Sequence, residues 1–159
     1  MLIKQFLNDE EKNDILNFIE TTQDKDYIKV PGFDASIFHI LEHKNIFQFI
    51  ANKINCYNKN YRTIWENSFI VKIKPNGFIS VHIDDSPINC NILIQKPENG
   101  GDLLVENTKI ITNEKDAYFL NPNKKHGIST ITGNKCYYSV VICNKIIEKT
   151  IYDTYLNNR

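Results

Sequence analysis

Apolar residues change their spacing near Tyr61, and the chain divides there into two kinds of predicted structure. Upstream, Asn8 stands as a helix N-cap, and Asp9, Glu10 and Glu11 complement the positive end of the first turn. Ile15, Leu16, Phe18 and Ile19 then recur at helical spacing. Gln23 to Asp26 reads as a loop, and Tyr27 to Val30 as a short strand stopped by Pro31-Gly32. A second helical stretch is expected from Ser36 to Ile54, with Ile46, Phe47, Phe49, Ile50 and Ile54 on its buried face. Residues 1–60 are therefore expected to form a helical buttress packed on a sheet.

From Trp65 onward, short runs rich in Ile, Val, Tyr and Phe alternate with Gly, Pro and Asn. This punctuation predicts strands near Trp65–Lys74, Phe78–Asp84, Asn89–Gln95, Asp102–Val105, Lys109–Thr112, Ala117–Leu120, Gly127–Ile131 and Lys135–Asn144. Short strands following helices predict a mainly β chain with flanking helices, built on a double-stranded β-helix (a jelly-roll, cupin-like core) over residues 65–144. Residues 145–159 form a closing segment that the pattern leaves open between a helix and an edge strand. No repeat or low-complexity linker divides the 159 residues, so a single domain is expected.

Nineteen acidic and nineteen basic residues cancel, which argues against a nucleic-acid binder driven by net charge. No apolar run reaches the ~18 residues of a membrane-spanning helix, and acids follow the N-terminus where a signal peptide would be apolar. A soluble, cytoplasmic protein is expected. Cys56, Cys90, Cys136 and Cys143 show neither a C-x-x-C pair nor zinc-ribbon spacing, and are expected as buried, reduced thiols.

The candidate chemistry lies in Gly77-Phe78-Ile79-Ser80-Val81-His82-Ile83-Asp84. On a strand, His82 and Asp84 leave the same face about 7 Å apart along the chain. An imidazole and a carboxylate aimed at one point are two of the three ligands of the facial triad that holds non-haem Fe(II) with open positions. The third ligand must come from another strand, and His126 is the only downstream histidine. Asn89 and Asn91 are polar intrusions in an apolar run, able to face either a pocket or a surface edge. Arg62, Trp65 and Asn67 precede the first core strand, where a substrate mouth is often shaped. Asp85 and Ser86 either rim the pocket or end the strand.

The ordered set Pro75-x-Gly77, His82-x-Asp84, Gly100-Gly101-x-Leu103, His126 and Lys135 resembles the Fe(II)/2-oxoglutarate-dependent oxygenases, in particular their compact prolyl-4-hydroxylase-like branch. The resemblance covers roughly Trp65 to Ile142. It implies Fe(II) on His82, Asp84 and His126, with O2 and 2-oxoglutarate as co-substrates. It also implies hydroxylation of an amino-acid residue or small molecule, with release of succinate and CO2. Lys135 stands where the family places the cation that holds the far carboxylate of 2-oxoglutarate. On a strand Tyr137 and Ser139 would share its face and add hydrogen bonds. The chain departs from the family in carrying Tyr137 where Ser or Thr is usual, and no Tyr in Ile70 to Lys74. The alternative from a different class is a metal-binding jelly-roll that recognises a ligand without oxidising it.

A second motif competes. His39-Ile40-Leu41-Glu42-His43 matches the H-x-x-E-H pattern of zinc peptidases, which needs both histidines on one helical face and a further acidic ligand downstream. The downstream chain reads as strands, which favours ordinary surface histidines.

Overall fold

The computed structural model describes residues 1–85 and 87–147. β1 (Leu2–Ile3) leads into α1 (Asp9–Thr21), followed by β2 (Ile28–Lys29) and β3 (Ser36–His39). After α2 (Lys44–Tyr57) come β4 (Tyr61–Thr63), β5 (Phe69–Ile73), β6 (Ile79–His82) and β7 (Ile88–Gln95). β8 (Leu103–Val105), β9 (Thr108–Ile110), β10 (Ala117–Leu120), β11 (His126–Ile128) and β12 (Tyr137–Ile146) complete the order.

α1 starts where its chemistry says it should. The Glu11 N–H donates to Asn8 Oδ1 at 2.8 Å, and the Asn8 N–H donates to Glu11 Oε2 at 2.9 Å, a reciprocal capping box. Its Ile15 and Ile19 are buried, as are Phe47, Ile50, Ala51 and Ile54 of α2. Both helices lie against one face of an eight-stranded sheet ordered β1-β10-β7-β12-β5-β3-β2, with β4 also paired to β12.

A four-stranded sheet, β6-β11-β8-β9, faces the opposite side of that large sheet. β7 and β12 are therefore buried on both faces, which is why they read as almost unbroken apolar runs. Cys90, Ile92, Ile94, Val140 and Ile142 point to the helices. Leu93, Tyr137, Val141 and Cys143 point between the sheets. Ile92, Ile94, Val140 and Ile142 are fully buried, each contributing about 1.5–3 kcal/mol relative to exposure. The expected mainly β, double-stranded β-helix architecture with flanking helices is the one observed.

Three expectations need correction. The helix predicted from Ser36 begins only at Lys44, because Ser36–His39 pairs with β5 and Leu41–His43 forms a single 3-10 turn. Ile46 is consequently exposed, while Phe47, Ile50 and Ile54 form the buried stripe. The strand predicted from Trp65 starts at Phe69, since Trp65–Asn67 is a 3-10 turn. The strand predicted from Lys135 starts at Tyr137. Of the closing segment, Lys145 and Ile146 end β12, and residues 148–159 lie outside the described residues, as does Ser86.

Candidate metal centre

Antiparallel pairing of β6 with β11 sets His126 directly across from His82. This is how two histidines far apart in the chain meet, with ring centroids 4.4 Å apart. Gly127 lets the strands approach. A Cβ there would stand 2.7 Å from the Ile79 carbonyl oxygen and 3.1 Å from the Val81 nitrogen, where the pairing shifts register. Asp84 follows the end of β6, and its backbone N–H donates to the Pro122 carbonyl at 2.9 Å. That bond ties the carboxylate-bearing loop to the turn preceding His126.

The three side chains converge. One ligand atom from each of His82, Asp84 and His126 lies within 4.8 Å of the others. Asp84 Oδ2 is 3.3 Å from His82 Nε2 and 3.4 Å from His126 Nε2. Both rings are oriented from behind. His82 Nδ1 lies 2.7 Å from the Ser80 carbonyl and His126 Nδ1 lies 2.8 Å from the Lys124 carbonyl. A carbonyl oxygen only accepts, so each Nδ1 is the donor there and each ring turns its Nε2, the nitrogen left to hold a metal, toward Asp84. Such backing of a metal-ligating histidine fixes both tautomer and ring angle. Phe33 packs on the outer side of His82, 4.6 Å between ring centroids. The His126 side chain is 9% exposed and that of Asp84 48%, so the cluster opens toward solvent on the Asp84 side. Two imidazoles and one carboxylate on one side, with room opposite, fit a divalent first-row metal such as Fe(II).

Behind the cluster lies a cavity between the two sheets with an empty volume of ≈ 520 Å³, its open mouth included. Its room for water-sized molecules is only ≈ 100 Å³, below the ~300–1,000 Å³ typical of small-molecule sites. Its lining is largely apolar, with Phe69, Val71, Ile79, Leu103, Leu120, Ile128 and Val141. The polar groups beyond the cluster are Asn89 and Asn91 of β7 and Tyr137 and Ser139 of β12. Burial pushes the Tyr137 phenol above its ordinary 10.0, with Ser139 beside it as a hydrogen-bonding partner, so it remains a neutral donor.

The structure thus brings His82, Asp84, His126, Tyr137 and Ser139 to one cavity and separates Lys135 from them. Lys135 is exposed on the segment before β12, where the alternation that would aim it with Tyr137 has not begun, and it acts electrostatically on Glu114 instead. No lysine or arginine lines the cavity among the described residues. Asn89 and Asn91 resolve to the pocket side, and Asp85 is exposed. Arg62 donates to the Lys59 and Tyr61 carbonyls, and Trp65 packs against the helix-side core, so neither shapes the mouth. The Asn67 carbonyl accepts from the Cys143 thiol at 2.9 Å.

The peptidase pattern dissolves. His39 ends a strand and His43 sits in a 3-10 turn, so no helical face carries both. His43 packs 5.1 Å from the Phe18 ring and 5.6 Å from Phe38. All four cysteines are free, as expected, but only Cys90 and Cys143 are buried; Cys136 is half-buried and Cys56 exposed. No helix among the described residues is long and apolar enough to cross a membrane.

No protein-family model matches the chain. Among curated proteins it is 28% identical over 163 residues to reticulocyte-binding protein homolog 1 of Plasmodium falciparum (isolate 3D7). That match takes in 98% of this chain but 5% of the relative, so the chain spans only a small fraction of that protein's length. Solved structures are more informative about the fold. HygX from Streptomyces hygroscopicus, with nickel and 2-oxoglutarate bound, superposes with a TM-score of 0.73 at 10% identity over 92% of this chain and 82% of its own. A 2OG-Fe(II) oxygenase-family oxidoreductase from Burkholderia pseudomallei gives 0.71 at 13% identity, covering 91% and 83%. SnoN, a non-haem alpha-ketoglutarate-dependent epimerase from nogalamycin biosynthesis, gives 0.72 at 9%, covering 92% and 77%. The chain shares the double-stranded β-helix fold of these proteins, and they do not single out the prolyl-4-hydroxylase-like branch expected from the motifs.

Proposed function

We propose that the chain is an Fe(II)-dependent oxygenase that couples O2 to the oxidative decarboxylation of a 2-oxo acid and hydroxylates an amino-acid residue or small molecule. With 2-oxoglutarate, the co-substrate named for its structural neighbours, the by-products are succinate and CO2. The observation that carries the reading is the convergence of His82, Asp84 and His126 with both Nε2 atoms turned inward. Bound there, Fe(II) would supply redox chemistry with O2 that no side chain can provide.

The chain's own residues do the rest. His82 and His126 hold the metal from the wall of the small sheet, and Asp84 holds it from the rim. The apolar lining keeps water away from the reacting atoms, which protects a reactive site from side reactions. The 48% exposed side of Asp84 marks the direction from which a substrate approaches. The retained carboxylate argues for hydroxylation over halogenation, since related halogenases replace it with a small residue to leave room for halide.

The test is metal-dependent O2 uptake by the full chain in the presence of 2-oxo acids, with the product acid identified by mass. Uptake should require Fe(II) and disappear in His82→Ala. Uptake that survives that substitution would refute the assignment. That no lysine or arginine among the described residues lines the cavity favours one rival, a jelly-roll that binds metal and ligand without oxidation. Metal-dependent ligand binding without any O2 uptake would identify it.

A further inference from the structure

His82 and His126 are held unequally. β11 lies between β6 and β8, so His126 has a strand on either side, and its side chain is 9% exposed. β6 is an edge strand, and the His82 side chain is 22% exposed. An edge position leaves a side chain with one strand neighbour where two would otherwise fix it. The further cover comes from the hairpin of β2 and β3. Its Phe33 ring packs on the His82 ring, 4.6 Å between centroids, and is not among the residues that line the cavity.

The hairpin is built to deliver that ring. Val30-Pro31-Gly32-Phe33 is a turn closed by the Phe33 N–H, which donates to the Val30 carbonyl at 3.2 Å. Proline presets the second position, and Gly32 takes the positive φ, +81°, that the third position of a type II turn requires. The Val30 N–H donates in turn to the Ala35 carbonyl at 3.1 Å. Asp34 bridges Phe78, the residue before β6. That approach needs Gly77, where a Cβ would stand 2.7 Å from the Asp34 carbonyl oxygen. β2 and β3 belong to the large sheet and β6 to the small one, so the turn joins the two sheets beside His82.

Resting on the oxygenase reading above, we propose that Phe33 is a positioning residue for His82. It acts through the imidazole, restricting the ring and shielding it from water. Metal retention then depends on a turn outside Trp65 to Ile142, the stretch that carries the family resemblance.

The test is Mn(II) affinity, measured by competition with a chelator, in the full chain and its variants. Phe33→Ala should bind Mn(II) about three- to tenfold more weakly, the range that one aromatic pair contributes. Phe33→Tyr keeps the ring and should bind as the unaltered protein does. Phe38→Ala removes a ring of the same hairpin from the helix-side core, so it should lower the melting temperature and leave Mn(II) affinity unchanged. Coupling between sites is reciprocal. In the unaltered protein Mn(II) should therefore slow hydrogen exchange at the Val30 and Phe33 amides more than in β9, the far edge of the small sheet. Four results overturn the positioning role and leave the oxygenase reading intact: unchanged affinity in Phe33→Ala, no recovery in Phe33→Tyr, equal weakening in Phe38→Ala, or hairpin exchange indifferent to Mn(II). If the unaltered protein shows no Mn(II) binding that His82→Ala abolishes, the oxygenase reading fails and this role fails with it.

Discussion

Replacing His126 by alanine should remove most of the stability that a divalent metal confers, because His126 is the proposed ligand on β11 that faces His82 of β6. The unfolded chain holds His126 far from His82 and Asp84, so metal binds the native state preferentially and stabilises it by mass action. At a metal concentration a hundredfold above Kd the gain is about 2.7 kcal/mol. For a chain of this size about 2–4 °C of Tm accompanies each kcal/mol, which gives a rise of roughly 5–11 °C. Losing even an outer-shell partner of a metal site costs about 10–100-fold in affinity, so losing a buried ligand should cost at least the upper figure. At the same metal concentration the variant would then sit near its own Kd. It would gain only about 0.4 kcal/mol, or roughly 1–2 °C. The assay is a thermal melt of both proteins with and without Mn(II), an oxygen-stable substitute for Fe(II). Only the metal-induced difference is compared, so any loss of apo stability from the vacated His126 site cancels. The apo protein should stay folded, since its two apolar cores owe nothing to the metal. A full metal-induced rise in His126→Ala would show that His126 is not a ligand.

Three further outcomes follow from the geometry. Gly127→Ala should destabilise the protein by about 1–3 kcal/mol, since its Cβ meets backbone at 2.7 Å, and should weaken Mn(II) binding by displacing His126; equal melting curves would refute the close approach. Lys135→Ala should leave the affinity of the metal-loaded protein for 2-oxo acids unchanged in calorimetry, because the lysine is exposed and outside the cavity; a tenfold loss would restore it as the tail anchor. Native-state alkylation at pH 8 should label Cys56 quickly and spare Cys90 and Cys143. Burial raises both of those thiols, and Cys143 is pushed up to about 11, so its reactive thiolate is scarce at that pH. Rapid loss of all four free thiols would contradict the packing of β7 and β12.

Elements whose signal is local could be read from the residues alone. The Asn8–Glu11 capping box, the period of Ile15 and Ile19, and the apolar runs of β7 and β12 each follow from residues within a turn or a strand of one another. His82 and Asp84 were legible for the same reason, since two-residue spacing at a strand end is enough to aim both side chains together. His126 was reached by counting histidines, and only the pairing of β11 with β6 put it in place. Tertiary contacts decided what local pattern could not. Ser36–His39 has helix-compatible spacing, yet β5 offers it an unpaired edge, and the ladder overrides the period. Lys135 shares a strand's parity with Tyr137 only if the strand already exists there, and β12 begins two residues later. The alternation of Asn89 and Asn91 showed that both face one side of β7, but not which side. That depended on the helices taking the opposite face, leaving the amides to the cavity. A strand's sequence fixes which residues travel together, and only the layers packed against it decide what they face.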